Sequence, residues 1–417
     1  MPKIDPIYVG SDATAKLLDY VAAKGLKRFA LVADTNTYKA LGQRAEAALK
    51  SKGYDVTTVV LQDAEIHADE HQLIKTLIEA PLGDLTFVAV GSGSITDITR
   101  FVSFRTGRPF IGTPTAPSVD GFTSIGAPII LAGVKTTLIC QAPIAVFADI
   151  DTLANAPQRL IAAGFGDMIG KYTSLADWKM GSLVWGEPYD AAIAQRTQAA
   201  IASAVQQAEA IGQHTPEGVR ALMDALIESG LCMLDFGASR PASGAEHHAS
   251  HYWEMKRLKE HSHSMLHGAQ VGYALSLVAE QYAKIRALSR SEAMNRLEGA
   301  SLPNRADEIE HIQAGYGDMA DDIVKEHAAF LNLTEADFDA LKHRIADQWE
   351  AIQAVAASVP PPEVIRGYLR QVGAPATAEE LGLSPDEVSP GFQYGHYLRN
   401  RFSVVKLSRI LDVPLIE

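Results

Sequence analysis

Cysteine is nearly absent from this chain. Cys140 and Cys232 are the only two in 417 residues, they sit in dissimilar contexts, and no Cys-x-x-Cys pairing occurs. No disulfide framework is therefore expected, and the composition fits a reducing cytoplasm, which is the expected location. Long apolar runs are missing too. No window reaches about 18 uncharged apolar residues, so no membrane span is expected. The N-terminus, Met-Pro-Lys-Ile-Asp-Pro, lacks the basic-then-apolar pattern of a secretory signal. Positive charge is in deficit: the net charge of −13 argues against a nucleic-acid surface, because a phosphate backbone demands a basic field. A phosphorylated small molecule stays compatible, since a few local cations or a helix N-terminus hold one phosphate. Neither an internal repeat nor a low-complexity tract is present. What remains is the composition of a globular protein, 47% hydrophobic and 21% charged, and at 417 residues two domains are the natural expectation.

The first part of the chain alternates short apolar runs with helical periodicity, the pattern of βαβ units on a parallel sheet. Strands are expected at Phe29–Ala33, Asp55–Leu61, Leu85–Val90, Phe110–Thr113 and Ile144–Ala148, with helices near 41–50, 71–79 and 95–106. Ala127–Leu131 and Lys135–Ile139 flank Ala132-Gly133 and read as a β-hairpin inserted into that sheet. After Asn155-Ala-Pro157 the texture changes to Ala, Leu, Glu and Gln with 3.6-residue periodicity. Pro157 fits the first turn of a helix, and Pro188–Ile211 and Pro216–Leu234 read as long helices. The expected organisation is an α/β nucleotide-binding domain over 1–155 and an all-α metal- and substrate-binding domain over 156–417.

Histidine is concentrated. Six of the 13 lie within the 22 residues from Glu246 to His267: His247, His248, His251, His261, His263 and His267. On a helix, His247 and His251 fall one turn apart on the same face. Two imidazoles so placed bind one divalent metal, or one binds metal while the other meets the substrate. His267 opens a new apolar-periodic segment and can enter the same site from a second helix. A solvated, weakly basic loop with scattered histidines is the competing reading.

Other stretches carry chemistry as well. Gly91-Ser-Gly93-Ser94 lies directly between a strand and a helix, where glycine permits close backbone approach and helix-start N–H groups attract phosphate. A nucleotide pyrophosphate is the natural ligand, with a structural turn as the alternative. Rossmann spacing needs a third glycine at position 96, where Thr96 stands. Asp34 ends a strand, where an acidic residue meets an adenosine ribose and tilts choice toward NAD, or simply forms a turn. The hydroxyl-rich loop Thr113–Ser124 follows another strand, as ligand-lining loops do. Asp167, in Gly164-Phe-Gly166-Asp167, offers an oxygen ligand or an N-terminal helix cap.

Together these pieces resemble the sn-glycerol-1-phosphate dehydrogenases, the phosphate-ester branch of the superfamily that also holds iron-dependent alcohol dehydrogenases, glycerol dehydrogenase and dehydroquinate synthase. The matching stretches are Gly-Ser-Gly-Ser-x-x-Asp (91–97), Pro-Thr-Ala-Pro-Ser-x-Asp-Gly (114–121), Ala-Gly-Phe-Gly-Asp-x-x-Gly-Lys (163–171), Thr-Ser-Leu-Ala-Asp-Trp (173–178), Ser-Arg-Pro-Ala-Ser-Gly-Ala-Glu-His (239–247) and His-Gly (267–268). The resemblance spans residues 10–290 well and the C-terminal third loosely; Ser92 replaces a glycine common in the superfamily. It implies an α/β Rossmann-like parallel-sheet domain followed by an all-α domain, with the active-site cleft between them. It further implies metal ligation by Asp167, His247 and His267, and substrate contacts from Asp120 and His251. Nucleotide contacts are implied for Gly93, Ser94, Asp97, Thr115, Ser118 and Ser124, with Asp34 at the adenosine ribose. His248, His261 and His263 match no ligand position and are expected to face solvent or to support the ligands.

The implied activity is reduction of dihydroxyacetone phosphate to sn-glycerol 1-phosphate, and its reverse, with NAD(H) or NADP(H) and one divalent metal. A mixed nitrogen and oxygen site suits Zn, Ni, Fe or Mn, and the branch points to Zn or Ni. His251 relays the proton in this picture. Lys171 and Arg399 or Arg401 are candidates for the phosphate, and a homodimer is the expected assembly. The rival readings are a dehydrogenase of an unphosphorylated polyol such as glycerol, a dehydroquinate-synthase-like cyclase, and a non-catalytic relative. Aspartate at 167, where the cyclases are expected to carry glutamate, disfavours the cyclase, and the intact Asp/His/His set disfavours the non-catalytic relative.

Overall fold

Phe29–Ala33 and Phe87–Val90 carry no polar side chain because both are strands covered on two faces. Ala30, Val32, Phe87 and Ala89 join one apolar cluster with Leu73, Ile95, Ile98 and Val102 of helices Glu70–Glu79 and Gly93–Arg105. Phe29, Leu31, Ala33, Val88 and Val90 join another with Leu17, Val21, Ala45 and Leu49 of helices Ala13–Ala23 and Gln43–Ser51. A strand buried on both faces reads as a continuous apolar run, and each Val, Leu, Ile or Phe among these side chains contributes about 1.5–3 kcal/mol on burial. The computed structural model describes residues 4–63, 65–131, 133–260 and 262–416.

The strands are β1 (Ile7–Gly10), β2 (Arg28–Asp34), β3 (Asp55–Leu61), β4 (Thr86–Val90), β5 (Phe110–Thr113), β6 (Gly126–Leu131), β7 (Val134–Ile139) and β8 (Ala145–Asp149). Six of them form one parallel sheet in the order β1-β8-β5-β4-β2-β3. The chain adds β3 on one side of β2 and then returns to place β4 on the other, so the strand order reverses between β2 and β4. In an open α/β sheet the crevice at the carboxyl ends of such a strand pair is where ligands bind. Val32 pairs with Ala89. Two residues further along each strand lie Asp34 and Gly91, so both expected nucleotide elements stand at this reversal.

The expected hairpin forms, with Gly126 opposite Ile139 and Leu131 opposite Val134, but it is not inserted in the sheet. It makes its own two-stranded sheet. The reason is that β5 and β8, the strands before and after it, pair directly with each other, leaving no place between them. Strand β1 is too short to be read from the sequence, spanning four residues of which only Val9 and Gly10 are buried; helix Ala13–Ala23, not among the expected elements, buries Ala13, Leu17 and Val21 at four-residue intervals.

The strands end at Asp149, and every later element among the described residues is helical. Two compact units result. One comprises the chain up to Met168 together with Ala202–Gly237; the other comprises Ile169–Ile201 and the chain from Ala238 onward. In the second unit, helix His267–Ala287 is buried nearly all round, through Val271, Ala274, Leu275, Val278, Tyr282 and Ile285. A helix apolar on every side is a core helix. No helix among the described residues is long and apolar enough to cross a membrane.

The second unit also buries a polar cluster. His327 is 2% exposed, its ring 4.9 Å from those of Phe330 and Tyr397. Lys406 Nζ donates to the His396 carbonyl at 2.7 Å, and Arg409 Nη1 donates to Glu308 Oε2 at 3.0 Å. Burial, reinforced by the Lys406 and Arg409 cations, holds His327 down to about 2; burial likewise holds His396 well below its ordinary value, again with Arg409 and Lys406 adding to it. Such residues stay neutral in the fold while the unfolded chain takes up protons as pH falls through roughly 6.5. Acid therefore destabilises the second unit, by about 1.4 kcal/mol per pH unit for each of these histidines below that point. Thermal unfolding of metal-free protein between pH 7.5 and 5 should show this fall, and His327→Phe should flatten it; an unchanged slope would contradict the assignment.

Candidate active site

The nucleotide elements assemble around the carboxyl end of β4. Helix Gly93–Arg105 begins there with Ser92 at its N-cap, and no side chain caps it. Its first N–H groups are thus offered to a ligand, and such a terminus favours phosphate. Gly91 is needed because a Cβ on it would lie 2.5 Å from the Ile95 Cβ. The loop after β5 is bound to this turn: Thr115 N–H donates to the Gly91 carbonyl at 3.4 Å, and Ser118 Oγ lies 3.1 Å from Ser92 Oγ. Gly93, Ser94, Thr115 and Ser118 are therefore brought together. Ser124 lies further along, its hydroxyl donating to the Gly121 carbonyl at 3.2 Å.

A buried guanidinium shapes this loop. Arg100 is fully buried; it donates to the carbonyls of Gly121 and Gly126, the latter at 2.9 Å, and pairs with Asp97 at 2.8 Å. Asp97 thus reaches the nucleotide loop through Arg100. Asp34 caps the helical turn Thr35–Thr37, with its Oδ1 accepting from Asn36 N–H at 2.7 Å and Thr37 N–H at 2.9 Å. The turn-forming role weighed for it is real.

Two residues beyond Ser118 the same loop reaches the metal side. Asp120 N–H donates to Asp167 Oδ2 at 3.0 Å, while the Asp120 carboxylate accepts from Ser229 Oγ at 2.8 Å. Asp167 lies well inside helix Gln158–Val184, so it is not the N-terminal cap that its sequence context also allowed. One turn earlier on that helix, Gly164 passes so close to the loop that a Cβ on it would sit 1.7 Å from the Pro117 carbonyl oxygen.

The histidines arrive on two further helices. Ala245–Lys259 is helical, the condition on which His247 and His251 share one face, with His247 buried and His251 half-buried one turn on. His267 is the first residue of helix His267–Ala287. Ring centroids are 6.2 Å apart for His247 and His251, 5.3 Å for His247 and His267, and 5.3 Å for His251 and His267. Asp167, His247 and His267 each offer one ligand atom, and these three atoms lie within 4.8 Å of one another. Among the remaining histidines, His248 is buried, with neither ring nitrogen hydrogen-bonded, and His263 is exposed; His261 lies outside the described residues. His248 therefore does not face solvent. Burial, with the cations of Arg401 and Lys406, keeps it neutral.

Sequence reasoning assigned no role to Glu246 or Asp177. Glu246 is fully buried at the helix start. It accepts from Thr173 Oγ1 and Ser174 Oγ at 2.6 Å each, and from Gly244 N–H and His247 Nδ1 at 2.7 Å each. Burial alone would raise its carboxyl, but the bonds from His247, Ser174 and Thr173 outweigh that and hold it at about 2. An ionised carboxylate only accepts, so His247 Nδ1 carries its proton and Nε2 is the ring atom that could meet a metal. Asp177 accepts from Ala245 N–H and Val404 N–H at 2.8 Å each and from the Tyr282 hydroxyl at 2.6 Å. Both residues stand in the stretches matched above; an acid directly before a helical histidine was the available signal. Of the phosphate candidates, Lys171 is fully buried, and Arg401 donates to the Ser243 carbonyl at 2.6 Å and Ser239 Oγ at 2.8 Å.

The donor set fits a divalent transition metal: one carboxylate and two imidazoles, with a second carboxylate behind His247 in the manner of ligated histidines. His267 Nδ1 lies 3.4 Å from Glu254 Oε1, near it but without hydrogen-bond geometry. The uncapped helix start beside Gly91 fits a nucleotide phosphate in the same sense.

Comparison with known proteins agrees with this arrangement. The iron-containing alcohol dehydrogenase family profile matches residues 8–157. A glycerol-1-phosphate dehydrogenase (NAD(P)+) of Bacillus subtilis strain 168 is 39% identical over 408 residues, covering 97% of this chain and 91% of that protein. The protein of the same name from Halalkalibacterium halodurans is 46% identical over 299 residues, covering 71% and 73%. Among solved structures, a probable glycerol dehydrogenase from Sinorhizobium meliloti superposes with a TM-score of 0.62 at 17% identity, covering 98% of this chain and 95% of that one; this likeness speaks for the fold. Sequence, fold and ligand geometry thus agree, and the chain belongs to the glycerol-1-phosphate dehydrogenase family, built on the fold of the iron-containing alcohol dehydrogenases.

Proposed function

We propose that this chain catalyses the metal-dependent, NAD(P)H-linked reduction of dihydroxyacetone phosphate to sn-glycerol 1-phosphate, and its reverse. The observation that carries this reading is the convergence of Asp167, His247 and His267, three residues from distant parts of the sequence, on one set of ligand atoms within 4.8 Å. The named activity of the family supplies the substrate class.

Asp167, His247 and His267 hold the cation in this reading, and Gly93, Ser94, Thr115 and Ser118 line the nucleotide phosphates, with Asp34 toward the ribose. When bound, the cation supplies positive charge that polarises the substrate carbonyl oxygen, and the nicotinamide supplies the hydride. The chain's own residues do the rest. The loop from Ser118 to Asp120 spans from the nucleotide turn to the Asp167 carboxylate, so one short segment orients both. Asp120, fixed by Ser229, contacts the substrate. His251, half-buried beside His247 and His267, donates the proton that the alcohol oxygen gains on reduction and recovers it on oxidation. This reading keeps the homodimer and the cytoplasmic location expected from the sequence.

Purified protein should consume NADH or NADPH with dihydroxyacetone phosphate and not with dihydroxyacetone; equal rates with both would favour a polyol dehydrogenase instead. Asp167→Ala and His267→Ala should each abolish bound metal and turnover together, whereas His263→Ala should leave both nearly intact, as metal analysis beside the NADH assay would register. Substituting His251→Gln should lower turnover by roughly 10²- to 10⁴-fold with the metal retained, and metal loss in that variant would make His251 a ligand.

A further inference from the structure

Every partner of Glu246 is a donor. Thr173 and Ser174, both on helix Gln158–Val184, supply hydroxyls at 2.6 Å; Gly244 supplies a backbone N–H at 2.7 Å; His247 supplies Nδ1–H at 2.7 Å. The side chain is fully buried, so it has no alternative position in solvent. Close packing fixes it further: a Cβ on Gly244 would fall 2.9 Å from Glu246 Oε2. The helix start could be satisfied more simply by a serine or aspartate cap. A glutamate that bends back to meet its own neighbour's imidazole does something that a cap does not: it fixes the ring.

We propose that Glu246 is a positioning residue for the metal site, holding the His247 ring in one rotation and one tautomer so that Nε2 is presented beside Asp167 and His267 before any metal arrives. The role rests on the metal-binding reading given above. Thr173 and Ser174 link it back to helix Gln158–Val184, the helix that carries Asp167, so the rotation of the His247 ring is set from the helix that bears the other ligand.

The test is Zn²⁺ affinity, measured by competition with a chromogenic chelator, alongside the thermal midpoint of the metal-free protein. Glu246→Ala removes the acceptor that fixes the His247 ring and should weaken Zn²⁺ binding roughly 10- to 100-fold; Glu246→Gln, which keeps one oxygen for Gly244, Ser174 and His247, should restore most of that affinity. Tyr282→Phe disturbs the neighbouring buried carboxylate Asp177 without touching Glu246 or His247; it should lower the metal-free midpoint and leave Zn²⁺ affinity near the unaltered value. Unchanged affinity in Glu246→Ala would overturn the positioning role, as would a Glu246→Gln affinity no better than that of Glu246→Ala, or equal affinity losses in Glu246→Ala and Tyr282→Phe, which would make Glu246 a residue of the fold alone. No difference between the unaltered chain and His247→Ala would overturn the metal reading itself, and the positioning role with it.

Discussion

A buried carboxylate must be met by donors, and in the helical unit two such groups determine where the helices begin. An uncompensated charge in a protein interior is costly enough that breaking one of its contacts is worth several kcal/mol, and hydrogen bonds to charged groups contribute about 1.5–3 kcal/mol each. Asp177 takes Ala245 N–H, Val404 N–H and the Tyr282 hydroxyl. Its three donors come from the start of the helix carrying His247, from the helix carrying His267, and from the C-terminal segment. Glu246 adds Thr173 and Ser174 from Asp177's own helix. The C-terminal part of the chain thereby gains a role: Phe402 N–H on Glu187 and Val404 N–H on Asp177 tie it to helix Gln158–Val184 and the turn after it, and Arg401 on Ser239 and Ser243 ties it to the loop that precedes His247.

In the α/β unit one buried cation plays the corresponding part. Arg100, held by Asp97, gathers the carbonyls of the loop after β5, while Thr123 Oγ1 bonds to the Ile227 carbonyl and Ser229 to Asp120. Close approach does the rest, since Gly164 and Gly230 each leave room for this loop that a methyl group would occupy. The consequence is a segment with little freedom, on which the proposed nucleotide contact at Ser118 and the proposed substrate contact at Asp120 both lie. Positioning of this kind lowers a barrier by removing the entropy of orientation.

Much of this was legible in the sequence because it depends on local pattern. Double-sided burial writes β2 and β4 as apolar runs, the glycine turn stands between a strand and a helix, and the spacing of His247 and His251 sets them on one face. The elements that escaped depend on distance. β1 is too short and too half-buried to show a period; the hairpin's exclusion from the sheet is decided by β5 meeting β8. Glu246 and Asp177 acquire their meaning from partners more than 60 residues away, which no local window contains. Asp34 and Asp97 show the opposite case, where a position expected to touch ligand also carries a cap or an ion pair.

In the proposed reading Asp167, His247 and His267 close on one divalent ion. X-ray absorption at the Zn edge of the Zn²⁺-saturated chain addresses it without relying on catalysis. Two imidazole rings and a carboxylate predict nitrogen and oxygen neighbours at about 2.0–2.2 Å, with outer-shell scattering from two imidazoles. A first shell of oxygen with no imidazole scattering, or one containing sulfur, would contradict the account.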